Sequence, residues 1–299
     1  MIERIVVAPN PVTAWETFAP MELPFGEGRG LSFVKCDYEN RRLGGYWQAS
    51  VSIVGDSVQL TQFFQDGLGR DVKMMGTRGF PGFHGFVNGI RWFLPGGGSK
   101  YKSLDLMANR IFVRYKDASS GDAFARSTQA NDTDSQARFG IKEFVVSGGR
   151  TSSSSVANGI ATRLLPMKAW PKYAREQIKQ GGKSAQGERI DLLLRGYIWT
   201  LRWRVYNQTT GGTADSQSAD LQMATILTSA QFLAPSGTWR IQANPIGALK
   251  YYDADQWMLD IVLGIVAEGD SQQQPWTFYL TEDRVPIYEP WTPSMDRNL

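Results

Sequence analysis

Cysteine and histidine are almost missing from this chain of 299 residues, which contains one of each, Cys36 and His84. One cysteine cannot form a disulfide within a chain, so the sequence fits a reducing compartment. One histidine excludes metal sites built from several histidines, and every Ser–His or Cys–His catalytic pair would have to use His84. This residue stands in an expected strand between Gly82 and Gly85, where a barrel-wall or surface histidine is favoured over a catalytic one.

Long apolar runs and a dominant sign of charge are missing too. No uninterrupted apolar stretch reaches about 18 residues, and the apolar run near the N-terminus is too short for a signal peptide, so we expect neither a membrane span nor a cleaved leader. The 32 basic and 29 acidic residues give a net charge of +3 and are mixed along the chain. Without a block of Lys and Arg, the sequence argues against sequence-specific nucleic-acid binding.

Familiar catalytic motifs are also missing. The segment Gly181–Ser184 resembles the end of a phosphate-binding loop, but Gln177 stands where that motif requires its first glycine. No Gly-x-Ser-x-Gly nucleophile elbow occurs. Asp253 and Asp255 would suit a hydrolase, yet they precede an expected helix, where an acidic N-cap explains them. We therefore predict a protein that is not an enzyme and has no catalytic, cofactor-binding or metal-binding residues.

Aromatic side chains, in contrast, are abundant, with ten Trp, eleven Tyr and fifteen Phe. Such side chains are costly to leave in water, so large interfaces with partner molecules are expected. The Pro- and Gly-rich segment 9–30 is predicted to be an extended arm that contacts a neighbouring subunit. The candidate interface residues are three aromatic residues of this arm and two arginines on the outer face of a later predicted strand: Trp15, Phe18, Phe25, Arg202 and Arg204.

A β-rich pattern dominates the range 43–115. In Tyr46–Ile53, every second residue from Trp47 onwards is apolar and the residues between them are polar. This alternation is typical of a half-buried strand. A short helix follows, with Asp56 or Ser57 as its N-cap and Gly67 as its left-handed stop. Together with the later strand-like runs, this range contains about six strands, and such a set closes most easily as a barrel or a sandwich.

Three structural units are predicted, and the expected fold class is α+β, mainly β, with two barrel- or sandwich-like β domains, a few helices and a smaller inserted unit. The range 1–115 is an N-terminal β domain with the arm, and 116–188 is a peripheral unit with a long polar loop and one helix that ends at Pro166. The range 189–299 is a C-terminal β domain with two helices, in which alternation over 199–205 predicts a strand.

Short segments spread over nearly the whole chain carry a family resemblance. They are Gly44–Ser50, Phe64–Arg70, Gly85–Asn88, Ala108–Tyr115, Phe139–Ile141, the helix 157–166, the run 196–207, and the last helix with Gly269, Asp270 and Trp276. In their order, the chain resembles the tail hub and tail-tip proteins of long-tailed bacteriophages. The resemblance is one of layout, and none of these segments carries catalytic chemistry.

This resemblance implies a structural virion protein with two barrel-like domains of tail-tube type. It implies a hub ring that closes the tail tube and connects it to the spike or fibres, with a channel for the tape-measure protein and then DNA. The partners would be further copies of the chain, as a trimer, and the neighbouring tube or distal tail, tape-measure, spike or fibre proteins. The location would be the phage tail, assembled in the host cytoplasm.

Two alternatives remain at this point. A distal tail adaptor of the same assemblies has a comparable barrel and forms a sixfold ring, so the sequence leaves trimer and hexamer open. A receptor- or carbohydrate-binding module belongs to a different class, and it would expose Trp and Tyr platforms for its ligand.

Overall fold

The computed structural model describes residues 2–8, 21–24, 30–79, 81–95, 98–118, 123–151, 153–177, 188–206, 217–246 and 255–292. The chain divides into two compact units. Unit 1 contains Met1–Tyr101 and Ala174–Leu299, and unit 2 is the inserted range Lys102–Tyr173. Within the described ranges, no helix has the length and apolar character needed to cross a membrane.

Unit 1 begins with strands and one helix. In chain order they are β1 (Ile2–Val7), β2 (Met21–Pro24), β3 (Ser32–Arg41), β4 (Gly44–Val54), α1 (Ser57–Asp66), β5 (Asp71–Gly76), β6 (Pro81–Leu94) and β7 (Gly98–Ser103). Unit 2 follows with a 3-10 helix (Leu104–Leu106), β8 (Arg110–Asp117), β9 (Ala123–Arg126), β10 (Ala130–Asn131), α2 (Thr133–Phe139), β11 (Glu143–Thr151) and α3 (Ser154–Lys168).

The chain then returns to unit 1. The elements there are β12 (Ala174–Gln177), β13 (Arg189–Gly196), a 3-10 helix (Tyr197–Trp203), β14 (Val205–Tyr206), α4 (Ala219–Leu227), a 3-10 helix (Ser236–Thr238), β15 (Arg240–Ile241), β16 (Gln256–Trp257), α5 (Met258–Glu268), β17 (Trp276–Leu280) and β18 (Pro286–Pro290).

Strand β13 is central to the large sheet of unit 1, because it pairs antiparallel with β4 on one side and β6 on the other. The described strands follow the order β15-β18-β17-β4-β13-β6-β5-β1-β2, with β3 beside β4, β7 beside β6 and β12 beside β7. Burial alternates along β13, with Ile190, Leu192 and Leu194 buried. This period of two is expected of a strand that has one face towards the core. The fold is mainly β, as predicted, and the described strands form no closed barrel.

The predicted strand over Tyr46–Ile53 and the helix after it are confirmed as β4 and α1. Asp56 is the N-cap of α1, and its carboxylate accepts the Gln59 N–H at 2.9 Å. The prediction of a left-handed stop at Gly67 is wrong, since its φ is −72°. The left-handed glycine is Gly69, with φ of 80°, in the turn Gly67–Arg70 that precedes β5.

The strand predicted over 199–205 is wrong in its first part, because Tyr197–Trp203 forms a 3-10 helix. Side chains three residues apart lie above each other in a 3-10 helix, so Ile198 and Leu201 share the buried side. Bulky residues on alternate positions hid this spacing. Arg202 is consequently exposed on a helix rather than on a strand face.

Helix boundaries also differ from the predictions at two places. Helix α3 continues past Pro166 to Lys168 although Pro166 lacks an N–H, and the N–H of the fully buried Ala169 donates to the Leu165 carbonyl oxygen at 2.8 Å. The N-cap of α5 is Trp257 without a side-chain hydrogen bond, so the predicted capping by Asp255 is wrong. Asp253, the other predicted cap, lies outside the described residues.

Unit 2 is a small sheet with a helix on one face. Strand β8 pairs parallel with β11 and antiparallel with β9 and β10. Ile111, Val113 and Tyr115 of β8 form one core with the two buried alanines of α3. The prediction of a polar loop over 116–136 is wrong for the described part of this range, because β9, β10 and the first turn of α2 lie in it.

The units of the structure have different boundaries from the predicted ranges 1–115, 116–188 and 189–299. Strand β8 belongs with unit 2, since its partners β9, β10 and β11 all follow it in the chain. The strands before and after unit 2 share one sheet, because β13 lies between β4 and β6.

Lys142 gives unit 2 a pH-dependent stability. Its side chain is buried and its ammonium donates to the Leu104 carbonyl oxygen. Burial lowers the pKa of Lys142 to about 7, whereas an unfolded lysine has a pKa of about 10.4. Burying the ammonium charge lowers the free energy of unfolding. This loss is fully present at a pH below the pKa of Lys142 in the folded protein, and it disappears above the pKa of the unfolded lysine. From pH 7 to pH 9 we expect the free energy of unfolding of unit 2 to rise by about 2–3 kcal/mol.

Hydrogen exchange of the β8 and β11 amides, measured at pH 7 and pH 9 and corrected for the intrinsic exchange rate, tests this prediction. Lys142→Met should remove the pH dependence of protection, because it removes the titrating group. Lys172→Met, at an exposed lysine of the same unit, is the control and should retain the dependence. An unchanged pH dependence in Lys142→Met would contradict the assignment.

Candidate protein interface

The interface residues predicted from the sequence do not come together as one surface. Trp15, Phe18 and Phe25 lie outside the described residues. Arg202 is exposed on the 3-10 helix, whereas Arg204 is partly buried after the end of that helix. The two arginines therefore do not share the outer strand face on which they were predicted.

A tryptophan pair lies beside Arg202. Trp47 of β4 and Trp199 of the 3-10 helix have ring centroids 4.8 Å apart, with an angle of 55° between their planes. The indole N–H of Trp199 donates to the carbonyl oxygen of Trp47 at 2.9 Å, and both side chains remain partly exposed. Aromatic pairs contribute about 0.5–1.5 kcal/mol beyond the area they bury. The pair is therefore a fixed aromatic surface.

Arginine side chains lie against both rings of this pair. The Arg41 guanidinium carbon is 4.2 Å from the Trp47 ring centroid. The guanidinium carbons of Arg195 and Arg202 are 4.3 Å and 5.1 Å from the centroid of Trp199. These separations lie within the range of cation–π attraction. We call these five residues the Trp–Arg patch.

Hydrogen bonds hold the arginines in position. Arg195 Nη1 donates to Gln48 Oε1 at 2.6 Å, and Gln48 Nε2 donates to Glu39 Oε2 at 2.8 Å. The other Glu39 oxygen accepts from Arg41 Nε at 2.5 Å. This hydrogen bond is the main cause that lowers the pKa of the Glu39 carboxyl. The chain of bonds orients two guanidinium groups before any partner binds.

Backbone geometry explains why distant residues meet in the patch. Gly196 ends β13 and starts the 3-10 helix, which turns Trp199 back towards β4. The antiparallel pairing of β3 with β4 sets Arg41 opposite Gly45, close to Trp47 in the chain. Sequence reasoning missed every member of the patch except Arg202. The i, i+3 spacing of Trp199 and Arg202 is the available signal that fits the 3-10 helix.

His84 lies in a separate, buried polar cluster with Asp71 and Tyr197. His84 Nε2 is 2.9 Å from Asp71 Oδ1, and the Tyr197 hydroxyl donates to the same oxygen. His84 Nδ1 is 2.6 Å from the Glu282 carbonyl oxygen, which can only accept, so Nδ1 carries a hydrogen. Burial, followed by the Asp71 charge, raises the pKa of Tyr197 well above its usual value.

This cluster ties together β5, β6 and the 3-10 helix. His84 is 1% exposed and Asp71 is 3% exposed, so neither faces solvent from which a substrate could arrive. Asp71 Oδ2 makes no hydrogen bond to the part of the chain that the structure describes. The geometry of the cluster is that of a buried polar network, so the predicted surface position of His84 is wrong.

The Trp–Arg patch is chemically suited to binding rather than to catalysis. Tryptophan and arginine are among the residues enriched at interfaces, and they dominate binding energy when a partner excludes water from them. Among the described residues, no group of His, Cys, Asp and Glu is arranged to hold a metal ion. Comparison with protein-family models, curated proteins and solved structures finds no match for this chain.

Proposed function

We propose that this chain is a structural component of a phage tail tip or baseplate, without catalytic activity of its own. In this proposal it forms a hub ring that closes the tail tube and connects it to the spike or fibres, and the ring has a channel for the tape-measure protein and DNA. Its partners are further copies of itself and the neighbouring tail proteins, and it resides in the virion after assembly in the host cytoplasm.

The packing of the resemblance segments carries this proposal. Gly44–Ser50 belongs to β4, Gly85–Asn88 to β6, and Gly196 ends β13 between them. A Cβ at Gly85 would lie 2.1 Å from the Arg195 carbonyl oxygen, and one at Gly196 would lie 1.6 Å from that of Tyr46. Segments far apart in the chain thus form a single close junction. Such a junction supports an inherited tube-wall layout more than a chance similarity of short segments.

Contacts across the sheet also support the barrel-like shape of tail-tube proteins. Strands β2 and β3, at distant points of the sheet order, contact each other. The Asn40 side chain of β3 donates to the Gly82 carbonyl oxygen of β6 at 3.1 Å. The Tyr46 hydroxyl donates to the Pro81 carbonyl oxygen at 3.3 Å. We infer a curled wall, of which each subunit supplies a segment.

The Trp–Arg patch is the surface that we expect to join subunits. Trp199→Ala should weaken self-association at least about 30-fold, since a central tryptophan contributes 2 kcal/mol or more to an interface. Sedimentation velocity and native mass spectrometry of the wild type should give a trimer for a hub or a hexamer for a distal tail adaptor, and Trp199→Ala should give the monomer.

Trp170→Ala provides the control, because Trp170 is 42% exposed in unit 2 and lies outside the patch. This variant should assemble like the wild type. A wild-type protein that stays monomeric at all concentrations and yields no rings in negative-stain images would overturn the proposed ring. If Trp199→Ala still forms rings, the subunits must contact each other through a surface other than the Trp–Arg patch.

A carbohydrate- or receptor-binding module is the second candidate, and the half-exposed Trp47–Trp199 pair favours it. Sugar rings stack on such indole faces, and arginine side chains can donate to hydroxyl groups. Glycan-array binding by a monomer, lost in Trp199→Ala, would support this candidate over the ring.

A further inference from the structure

The sheet of unit 2 has a second face, opposite to α3, which combines aromatic and basic side chains. The core side of β8 carries Ile111, Val113 and Tyr115. Neighbouring side chains of a strand point to opposite faces of its sheet. The residues of β8 that alternate with these three core residues therefore lie on the other face. On β8 these residues are Phe112, Arg114 and Lys116, and on β9 they are Phe124 and Arg126.

The register brings these side chains into two rows. Arg114 lies opposite Arg126, and Lys116 lies opposite Phe124. Successive rows along β8 are about 6.6 Å apart, two residues of an extended strand. The Arg114 guanidinium is 4.1 Å from the Phe124 ring centroid, and the Lys116 ammonium is 5.4 Å from it. One row therefore holds two cations, and the next row holds a cation beside an aromatic ring. We call Arg114, Lys116, Phe124 and Arg126 the basic aromatic face.

Phe124 is the accessible centre of this face. It remains 63% exposed despite the two cations beside its ring. Phe112 in contrast is only 2% exposed, with the Arg126 guanidinium 4.7 Å from its ring centroid. A single large exposed ring on a rigid sheet costs hydrophobic free energy, and a planar ligand that stacks on it recovers that cost.

Charge on the basic aromatic face favours an anionic ligand. Two like charges directly opposite each other on paired strands repel, as Arg114 and Arg126 do. Burial lowers the pKa of Arg126, the Arg114 charge lowers it further, and Glu143 opposes both. Glu143 is itself engaged by Arg110, with Nη1 to Oε1 at 3.2 Å, and its side chain is 4% exposed. The basic aromatic face itself carries three cationic side chains, Arg114, Lys116 and Arg126.

We propose that the basic aromatic face binds single-stranded nucleic acid, with a base stacked on Phe124 and the phosphates beside Arg114, Arg126 and Lys116. Stacking on an exposed ring requires an unpaired base, which a duplex does not offer. Phosphate binding by arginine and lysine gives affinity without reading the sequence. The proposal concerns unit 2 alone and does not depend on ring formation.

Fluorescence anisotropy of a labelled oligo-dT of about 12 nucleotides, titrated with the full chain at low salt, tests the proposal. We expect Phe124→Ala to weaken binding about tenfold or more through loss of stacking. Arg114→Gln and Arg126→Gln should each weaken binding and reduce the salt slope by about 0.7 through loss of a phosphate contact. Circular dichroism verifies that each variant is folded.

Tyr173→Ala is the matched control for Phe124→Ala, because Tyr173 is also 63% exposed and lies in unit 2 outside this face. It should bind oligo-dT like the wild type. Failure of the wild type to bind oligo-dT at low salt would overturn the proposal. It would also be overturned if a duplex bound equally well and Phe124→Ala had no effect. Equal binding of poly-glutamate to wild type and Phe124→Ala would identify an acidic protein partner instead.

Discussion

Gly196→Ala is expected to abolish the folding of unit 1. The new Cβ would lie 1.6 Å from the carbonyl oxygen of Tyr46 and 2.6 Å from its carbonyl carbon. Both atoms belong to the backbone of β4, so no side-chain rotation relieves the clash. Strand β13 would have to separate from β4 at the point where the 3-10 helix begins. We expect an insoluble product, or a soluble one without cooperative thermal unfolding by circular dichroism.

Gly159→Ala and Gly264→Ala are the matched controls. Both positions lie within α-helices, in α3 and α5, and a Cβ at either position meets no heavy atom within 4 Å. Alanine is favoured over glycine in helix interiors, so each control should stabilise the protein by about 0.5–1 kcal/mol. A soluble Gly196→Ala variant that melts like the wild type would contradict the close approach of β13 and β4.

Asp71→Asn is expected to lower the free energy of unfolding by about 3–5 kcal/mol, the cost of breaking a buried charged network. The same Asp71 oxygen faces both His84 Nε2 and the Tyr197 hydroxyl. A carboxylate oxygen only accepts, so the Asp71 oxygen serves as acceptor for an N–H of His84 Nε2 and for the O–H of Tyr197. Asparagine is neutral. With its oxygen at this position the variant loses the buried charge, and with its N–H there the Tyr197 hydroxyl loses its acceptor.

Urea unfolding followed by tryptophan fluorescence measures this loss. Asp191→Asn is the control: Asp191 also lies on a strand and contacts Arg189 at 2.9 Å, but its side chain is 36% exposed. Exposed ion pairs contribute about 0–1 kcal/mol, so this control should stay within about 1 kcal/mol of the wild type. Equal losses in both variants would show that burial of the Asp71 cluster adds nothing to stability.

Local patterns in the sequence predicted the long elements of this fold. Strand β4 and helix α1 follow from the period of two and from the apolar spacing after Asp56. The elements β9, β10 and α2 were missed because they are short, and the two strands also depend on pairing with β8. The 3-10 helix 197–203 was missed because two periods fit the same bulky residues, and only the packing of Ile198 and Leu201 selects one.

The candidate interface was predictable only in part. Arg202 was identified from its exposed position between apolar residues, although on the wrong type of element. The other members of the Trp–Arg patch come from β3, β4 and the end of β13, and single-chain patterns do not say which strands become neighbours. The search for a continuous block of Lys and Arg in the sequence likewise missed the basic aromatic face. Its cations are dispersed along the chain and become adjacent only through the β8–β9 pairing.

The central position of β13 constrains the order of events during protein synthesis. Strands β4 and β6 are made first, yet the strand that joins them emerges from the ribosome only after all of unit 2. Unit 2 is continuous in the chain and its described strands pair with one another, so it has the local contacts for early folding. At typical elongation rates the edges of β4 and β6 wait on the order of ten seconds for β13. Nascent chains in this interval are the aggregation-prone species that a chaperone would have to protect.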